Sequence, residues 1–223
     1  MKVRIRFSKT GALVYIGHLD VMRYFQKLFR RSDIPVAYSE GFSPHQILSF
    51  TPPLPLGMES VGEYADVELI RSISTADALR ALRDHSVPEI KIQSFKLLPD
   101  RCENAMASVY AARYSIDTSA SRFDARKSFD RLLSQETAFV VKKTKKNEKE
   151  IDILPLIYEL NVNDNGMIDM LISSGSSDNI KPELVLFAAG AEDIDKMTIK
   201  RIDQYTLVDQ KIVSLDDIGE EIT

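Results

Sequence analysis

The chain opens on strict alternation. Val3, Ile5 and Phe7 are interleaved with Lys2, Arg4 and Arg6, a period of two that predicts a half-buried strand with one strongly basic face. After Lys9-Thr-Gly11, read as a turn, and Ala12–Ile16, read as a short extended piece, the period changes. Leu19, Met22, Phe25 and Phe29 recur at helical spacing, so a helix is expected from about His18 to Ser32 with these four as its buried stripe. Asp20 in its first turn and Arg30-Arg31 in its last complement the helix dipole. Pro35 stops it, and Pro35–Ser39 reads as the next strand. Glu40–Gly62 is rich in proline yet holds Phe42, Ile47, Phe50, Leu54 and Leu56, too much apolar surface for a disordered linker. An ordered, functional loop is expected there, with Ile47–Phe50 as a strand inside it.

Alternation returns over Glu63–Ile70. Ser74-Thr-Ala-Asp77 forms a capping box for a helix to about His85, and Glu89–Leu98 is a strand after Pro88. The order βαββαβ is the ferredoxin-like arrangement. The rest of the chain repeats that architecture. A strand over Ala107–Ile116 and a helix over Ser121–Gln135 lead to strands at Ala138–Lys143, Leu156–Val162 and Gly166–Ser173. A short helix at Lys181–Ala189 and a closing strand at Ile199–Val208 follow. Lys142–Glu150 reads as a charged hairpin tip and Asn163-Asp-Asn-Gly166 as a tight turn. The expectation is an α+β protein of tandem ferredoxin-like modules with antiparallel sheets, one over residues 1–99 and one over 105–213. An acidic tail, 214–223, is expected to be peripheral.

Composition narrows the chemistry. Nothing approaches the ~20 apolar residues that cross a bilayer, and the opening residues hold no apolar signal core. A cytoplasmic protein without membrane association is expected. The lone cysteine, Cys102, sits in the polar segment Pro-Asp-Arg-Cys-Glu-Asn and reads as an unreactive surface thiol. It excludes an internal disulfide and a cluster held by several thiolates. His18, His45 and His85 are 27 and 40 residues apart, without ligand spacing, so neither a metal nor a cofactor is expected. Phosphate-binding loop, nucleophile elbow and dinucleotide fingerprint are all missing. The net charge of −4 hides an asymmetry: residues 1–45 carry +5, and the remainder −9. A basic patch on an acidic chain points to a localised anionic partner.

One string of motifs is distinctive. Gly17-His-Leu-Asp20, the helix bearing Arg23 and Arg30-Arg31, and Ala37-Tyr-Ser-Glu-Gly-Phe-Ser-Pro44 resemble the radical-SAM-linked family. Ser49-Phe50, Pro53-Leu-Pro-Leu-Gly57, Glu59-Ser60 and Glu63-Tyr64 continue the likeness, which is dense over residues 3–70, and Glu150-Ile-Asp-Ile-Leu-Pro155 is a later echo. Members are typically encoded beside, or fused to, a radical-SAM enzyme. The resemblance therefore implies a radical-SAM partner supplied in trans. The order of elements is also similar, at fold level only, to repeat-associated RNA-processing proteins of CRISPR systems. Fold alone does not settle function.

The candidate residues each carry two readings. His18, at the positive end of the first helix, is a capping and packing residue, a hydrogen-bonding group for an anionic ligand, or a general base. Arg23, Lys27, Arg30 and Arg31 recur at i, i+4, i+7 and i+8 and form either a solvated face or a phosphate-tracking stripe. Tyr38, Phe42 and Phe50 flank Gly41 and Pro44: Tyr38 and Phe42 are core residues or exposed rings that would stack unpaired bases beside the cations, Phe50 belongs in the core, and His45 is grouped with the RNA- or anion-binding residues. Glu59 and Glu63 orient the basic groups or sit in solvent. Three functions follow. The leading one is a non-catalytic accessory protein of a radical-SAM enzyme that binds RNA, transfer or ribosomal, through the basic helix and proline-rich loop. The others are a metal-independent endoribonuclease using His18 and a pure protein-docking module.

Overall fold

The computed structural model describes residues 1–143, 148–175 and 178–223. In chain order the elements are β1 (Lys2–Lys9), α1 (His18–Arg31), β2 (Leu48–Phe50), β3 (Glu59–Glu68), α2 (Thr75–His85), β4 (Ile92–Leu97) and α3 (Ala105–Ser108). Next come β5 (Ala111–Asp117), α4 (Ala125–Leu133), β6 (Phe139–Lys143), β7 (Glu148–Asp152), β8 (Ile157–Val162) and β9 (Ile168–Ser173). The chain closes with α5 (Pro182–Ala188), β10 (Thr198–Val208) and β11 (Lys211–Ser214). It is an α+β protein whose recorded strand pairings are antiparallel.

Two units divide the chain, Met1–Val109 with Asp203–Thr223, and Tyr110–Ile202. In the first, strands run β4-β1-β3, with β2 on β3, and the part of β10 from Asp203 onward pairs with β11. One face of this sheet is apolar and meets both helices. Val3, Ile5 and Phe7 of β1 pack with Phe25, Leu28 and Phe29 of α1, with Ala78 and Leu82 of α2, and with Phe95 of β4. Ser74 caps α2 as the sequence predicts, its hydroxyl accepting from the Asp77 N–H at 3.1 Å.

Several expectations are corrected. The 12–16 piece is a 3₁₀ turn over Gly11–Tyr15, followed by extended backbone at Ile16. Pro35–Ser39 makes only the isolated bridges Val36↔Leu69 and Tyr38↔Gln46, and the strand between α1 and β3 is Leu48–Phe50. Pro35 has no N–H to add to a ladder, which limits pairing there. In α1 the buried residues are Val21, Phe25, Leu28 and Phe29, while Leu19 is 60% exposed. At about 100° per residue, Leu19 points roughly 120° away from Phe25, too far round to share its face.

The basic face of β1 is largely covered, with Arg4 buried and Lys2 and Arg6 partly so. It is the second, polar interior of the first unit. Arg4, 2% exposed, is held bidentate by Asp66 (Nε–Oδ1 2.8 Å, Nη2–Oδ2 2.9 Å). Arg6 lies 3.6 Å from carboxylate oxygens of both Asp203 and Asp216. Burial and the Asp203 carboxylate push the Tyr64 hydroxyl far up, so it stays protonated and donates to Asp203. Burial likewise pushes the Cys102 thiol up, against the pull of Arg4. The tail is no loose end either. Leu215 is fully buried with Tyr64 and Val109. Glu220 exchanges backbone hydrogen bonds with Leu97; the Thr75 N–H donates to the Ile222 carbonyl, and the Ile222 N–H donates to the Thr75 hydroxyl. A Cβ at Gly219, whose φ is +104°, would collide with the Leu97 carbonyl oxygen, so only glycine fits that approach.

In the second unit β9 lies between β5 and β8, and β6 and β7 form a separate two-stranded sheet. Asp124 caps α4 by accepting from the Lys127 N–H at 3.2 Å. The Asn163–Gly166 turn forms as predicted, its Asn163 Oδ1 accepting from the Asn165 and Met167 N–H groups. The centre of the predicted charged tip, residues 144–147, lies outside the described residues.

Candidate nucleic-acid interface

The outer face of α1 follows from its inner one. With Phe25 pointing to the core, Arg23, Lys27 and Arg30 lie within about 40° of the opposite direction, and all three are exposed. Arg31 sits further round and donates to the His85 carbonyl at 3.3 Å. Arg23 makes an exposed 3.2 Å contact with Asp20 one turn earlier. Such a pair is worth little in water and yields readily to a phosphate. Among the described residues no ion pair is recorded for Lys27 or Arg30.

The loop after α1 is built beside that helix. The Ser39 N–H donates to the His45 carbonyl (2.8 Å) and the Ile47 N–H to the Ala37 carbonyl (2.9 Å), folding residues 37–47 back on themselves. Gly41, at φ +107°, allows the reversal. Buried Gln46 fixes the loop to the helix: its Nε2 donates to the Gln26 carbonyl and to the Tyr38 hydroxyl, both at 3.3 Å. Tyr38 therefore stands next to the turn of α1 that carries Lys27 and Arg30. It is 50% exposed, and Phe42 at the tip is fully exposed. An unsupported phenyl ring in water is costly, and with its flat face open it is suited to stacking. His45 is exposed, with Nδ1 2.9 Å from the Ser39 hydroxyl, and its backbone N–H donates to the same oxygen.

His18 turns the other way. Its ring meets Phe50 edge-on at 5.5 Å and lines a cavity of about 20 Å³ together with Lys9, Thr51, Leu54 and Glu63. Burial lowers the imidazole below its ordinary value, Lys9 adds to the lowering, and Glu63 opposes both. A neutral imidazole with a buried carboxylate and ammonium nearby has the composition of an acid–base site. Its size argues otherwise. The space holds about one water-sized group, and the Lys9 ammonium faces inward to the Ile16 carbonyl at 2.9 Å. A phosphodiester does not fit. Here Lys9 ties the end of β1 to the 3₁₀ turn and its cap. Neither Lys9 nor Glu63 stands out in the sequence as a partner of His18, because Lys9 reads as part of a turn and Glu63 as one more charge on an alternating strand.

Arg23, Lys27 and Arg30 thus share the outer face of α1, Tyr38 and Phe42 stand exposed on the loop that follows it, and half-buried His18 turns away against Phe50. Among the described residues no group of three or more His, Cys, Asp or Glu is placed to hold a metal ion, and no helix is long and apolar enough to cross a membrane. Residues 2–182 match the model of a family described as an uncharacterised protein conserved in bacteria (DUF2344). No curated protein matches the chain.

Proposed function

The chain belongs to this bacterial family, and we propose that it serves as a non-catalytic RNA-binding accessory protein acting with a radical-SAM enzyme supplied in trans. The RNA, transfer or ribosomal, would meet the outer face of α1 and the Tyr38–Gln46 loop. In this reading the first unit, with strand order β4-β1-β3-β2 and two helices on one face, is a ferredoxin-like module, and the second unit is its tandem counterpart. The observation that supports the RNA part is the fully exposed Phe42, on a loop that Gln46 ties to the Gln26 carbonyl of α1, the helix that carries Arg23, Lys27 and Arg30. Cations at helical spacing follow a phosphate backbone, and an adjacent free ring takes an unpaired base. The partner part rests on the motif resemblance over residues 3–70.

Salt dependence tests the interface. Each phosphate neutralised releases condensed counterions, so affinity falls steeply with salt. Replacing Arg23, Lys27 and Arg30 with Gln retains helix propensity and leaves the buried stripe alone. The expected result is an intact fold whose salt slope flattens by roughly two to three units. Phe42→Ala should cost about 1–3 kcal/mol of binding with an unchanged slope. If the triple variant binds RNA like the wild type at every salt concentration, the basic helix is a solvated face and this reading fails.

A further inference from the structure

The second unit carries a half-paired strand beside an apolar groove. Among the described residues, β6 is recorded as pairing with β7 alone. Val140 of β6 is buried, whereas Phe139 and Val141 are 60% and 50% exposed, and Phe187 of α5 is 67% exposed. A strand edge flanked by exposed apolar side chains is a template for another strand. The groove between β6 and α5 encloses about 340 Å³ and is lined by Val141, Ile180, Leu184 and Phe187, a volume within the range of ligand clefts.

A second observation says what the occupant carries. Glu183 also lines this groove, and its Oε2 is buried without a hydrogen-bond donor. A carboxylate oxygen cut off from water is costly unless a donor or an opposite charge reaches it. Lys142 on the rim is engaged elsewhere, donating to the Asn179 carbonyl at 2.6 Å. We propose that the groove receives an extended segment of a partner protein. The segment adds as a strand to β6, seats apolar side chains against Val141, Leu184 and Phe187, and brings an arginine or lysine to Glu183. Strand addition accounts for the open edge, alternate side chains for the apolar walls, and the cation for the one buried carboxylate oxygen of half-buried Glu183. This surface is independent of the α1 face and stands whether or not that face binds RNA.

The probe is a capped pentapeptide, Val-Thr-Arg-Thr-Val, titrated into the isotopically labelled full chain, with Val-Thr-Glu-Thr-Val as its charge-reversed control. In the extended form its valines and arginine share one face. Saturable shifts of the Val141 and Phe187 amide signals are expected with the arginine peptide, and at least tenfold weaker binding with the glutamate peptide. Glu183→Gln should abolish that preference, and Phe187→Ser should weaken both peptides. Absence of a saturable shift, or equal affinity for the two peptides on the wild type, overturns the proposal. So does a concentration-dependent dimer whose formation moves the same signals without peptide, because the groove is then filled by a second copy.

Discussion

Arg4 and Arg23 are equally basic in the sequence and physically unalike. The Arg4 and Asp66 side chains are each 2% exposed, and the Arg23–Asp20 pair is 66% and 58% exposed. Breaking a buried pair from one side leaves a desolvated charge, whereas an exposed pair is screened by water. Asp66→Asn is therefore expected to destabilise the chain by about 3–5 kcal/mol in denaturant unfolding, and Asp20→Asn by less than about 0.5 kcal/mol. Equal small effects would mean that water reaches Arg4. The alternation of β1 made its two faces legible, but not which one meets water: that depends on the register Arg4↔Asp66 in β3. His18 offers a test by pH. Its folded value lies below the ordinary 6.5, so the unfolded chain binds more protons as pH falls through that value. No contribution is expected well above pH 6.5, and a progressive loss of stability below it. The carboxylates also titrate on the acid side, so the informative quantity is the difference between wild type and His18→Gln. The wild type should lose more stability than the variant between pH 7 and 5.5, as followed by urea midpoints. Parallel losses would show that His18 is as freely hydrated folded as unfolded.

At the scale of elements, what the sequence disclosed depended on how local each signal is. The α2 cap needs only Ser74 and Asp77, and the β8–β9 turn only Asn163 and Gly166; both form as read. The α1 stripe is legible in part: Phe25 and Phe29 are buried and Met22 packs against the core, but Leu19 is as apolar as Val21 and Leu28, and only the packed core chooses between them. The tail defeated local reading altogether. Its four acids suggest solvent, yet Asp216 accepts from Ser94 and its carbonyl from Lys96, while Leu215 fills the space beside Tyr64 and Val109. A leucine buried to this degree loses transfer energy and leaves a cavity when truncated, so Leu215→Ala should cost about 2–5 kcal/mol. Thermal unfolding measures it, with Ile212→Ala on half-exposed β11 as a control that should cost less. A loss no larger than the control's would return the tail to the periphery. The exposed cations of α1 and the exposed rings of the loop are legible as a spacing and a composition. Gln46, which joins helix to loop, is not, since nothing local marks a glutamine as a strut.

The division of the chain into units has a consequence for the whole molecule. The first unit is discontinuous, Met1–Val109 completed by Asp203–Thr223. A fragment of residues 1–109 keeps the apolar core between sheet and helices but loses the acidic partners of Arg6. Arg6 would face the polar interior without Asp203 and Asp216, and Tyr64 without its acceptor. A buried hydroxyl that loses its acceptor is destabilising, and a half-buried cation that loses two carboxylates adds to the cost. This fragment is expected to be unfolded, or compact without a cooperative transition. Joining Val109 to Asp203 should restore the fold, because both lie beside Tyr64, Val109 in contact with its ring cluster and Asp203 on its hydroxyl. A glycine-serine linker of about eight residues reaches roughly 15 Å, enough for that span. Two samples decide the matter: residues 1–109 alone, and residues 1–109 linked to 203–223. Circular dichroism and thermal scans should show a single cooperative transition in the linked chain and none in the fragment. Equally cooperative melting of both would mean that the returning segment only decorates a unit that folds without it. Failure of both would mean that the first unit needs the residues between Val109 and Asp203.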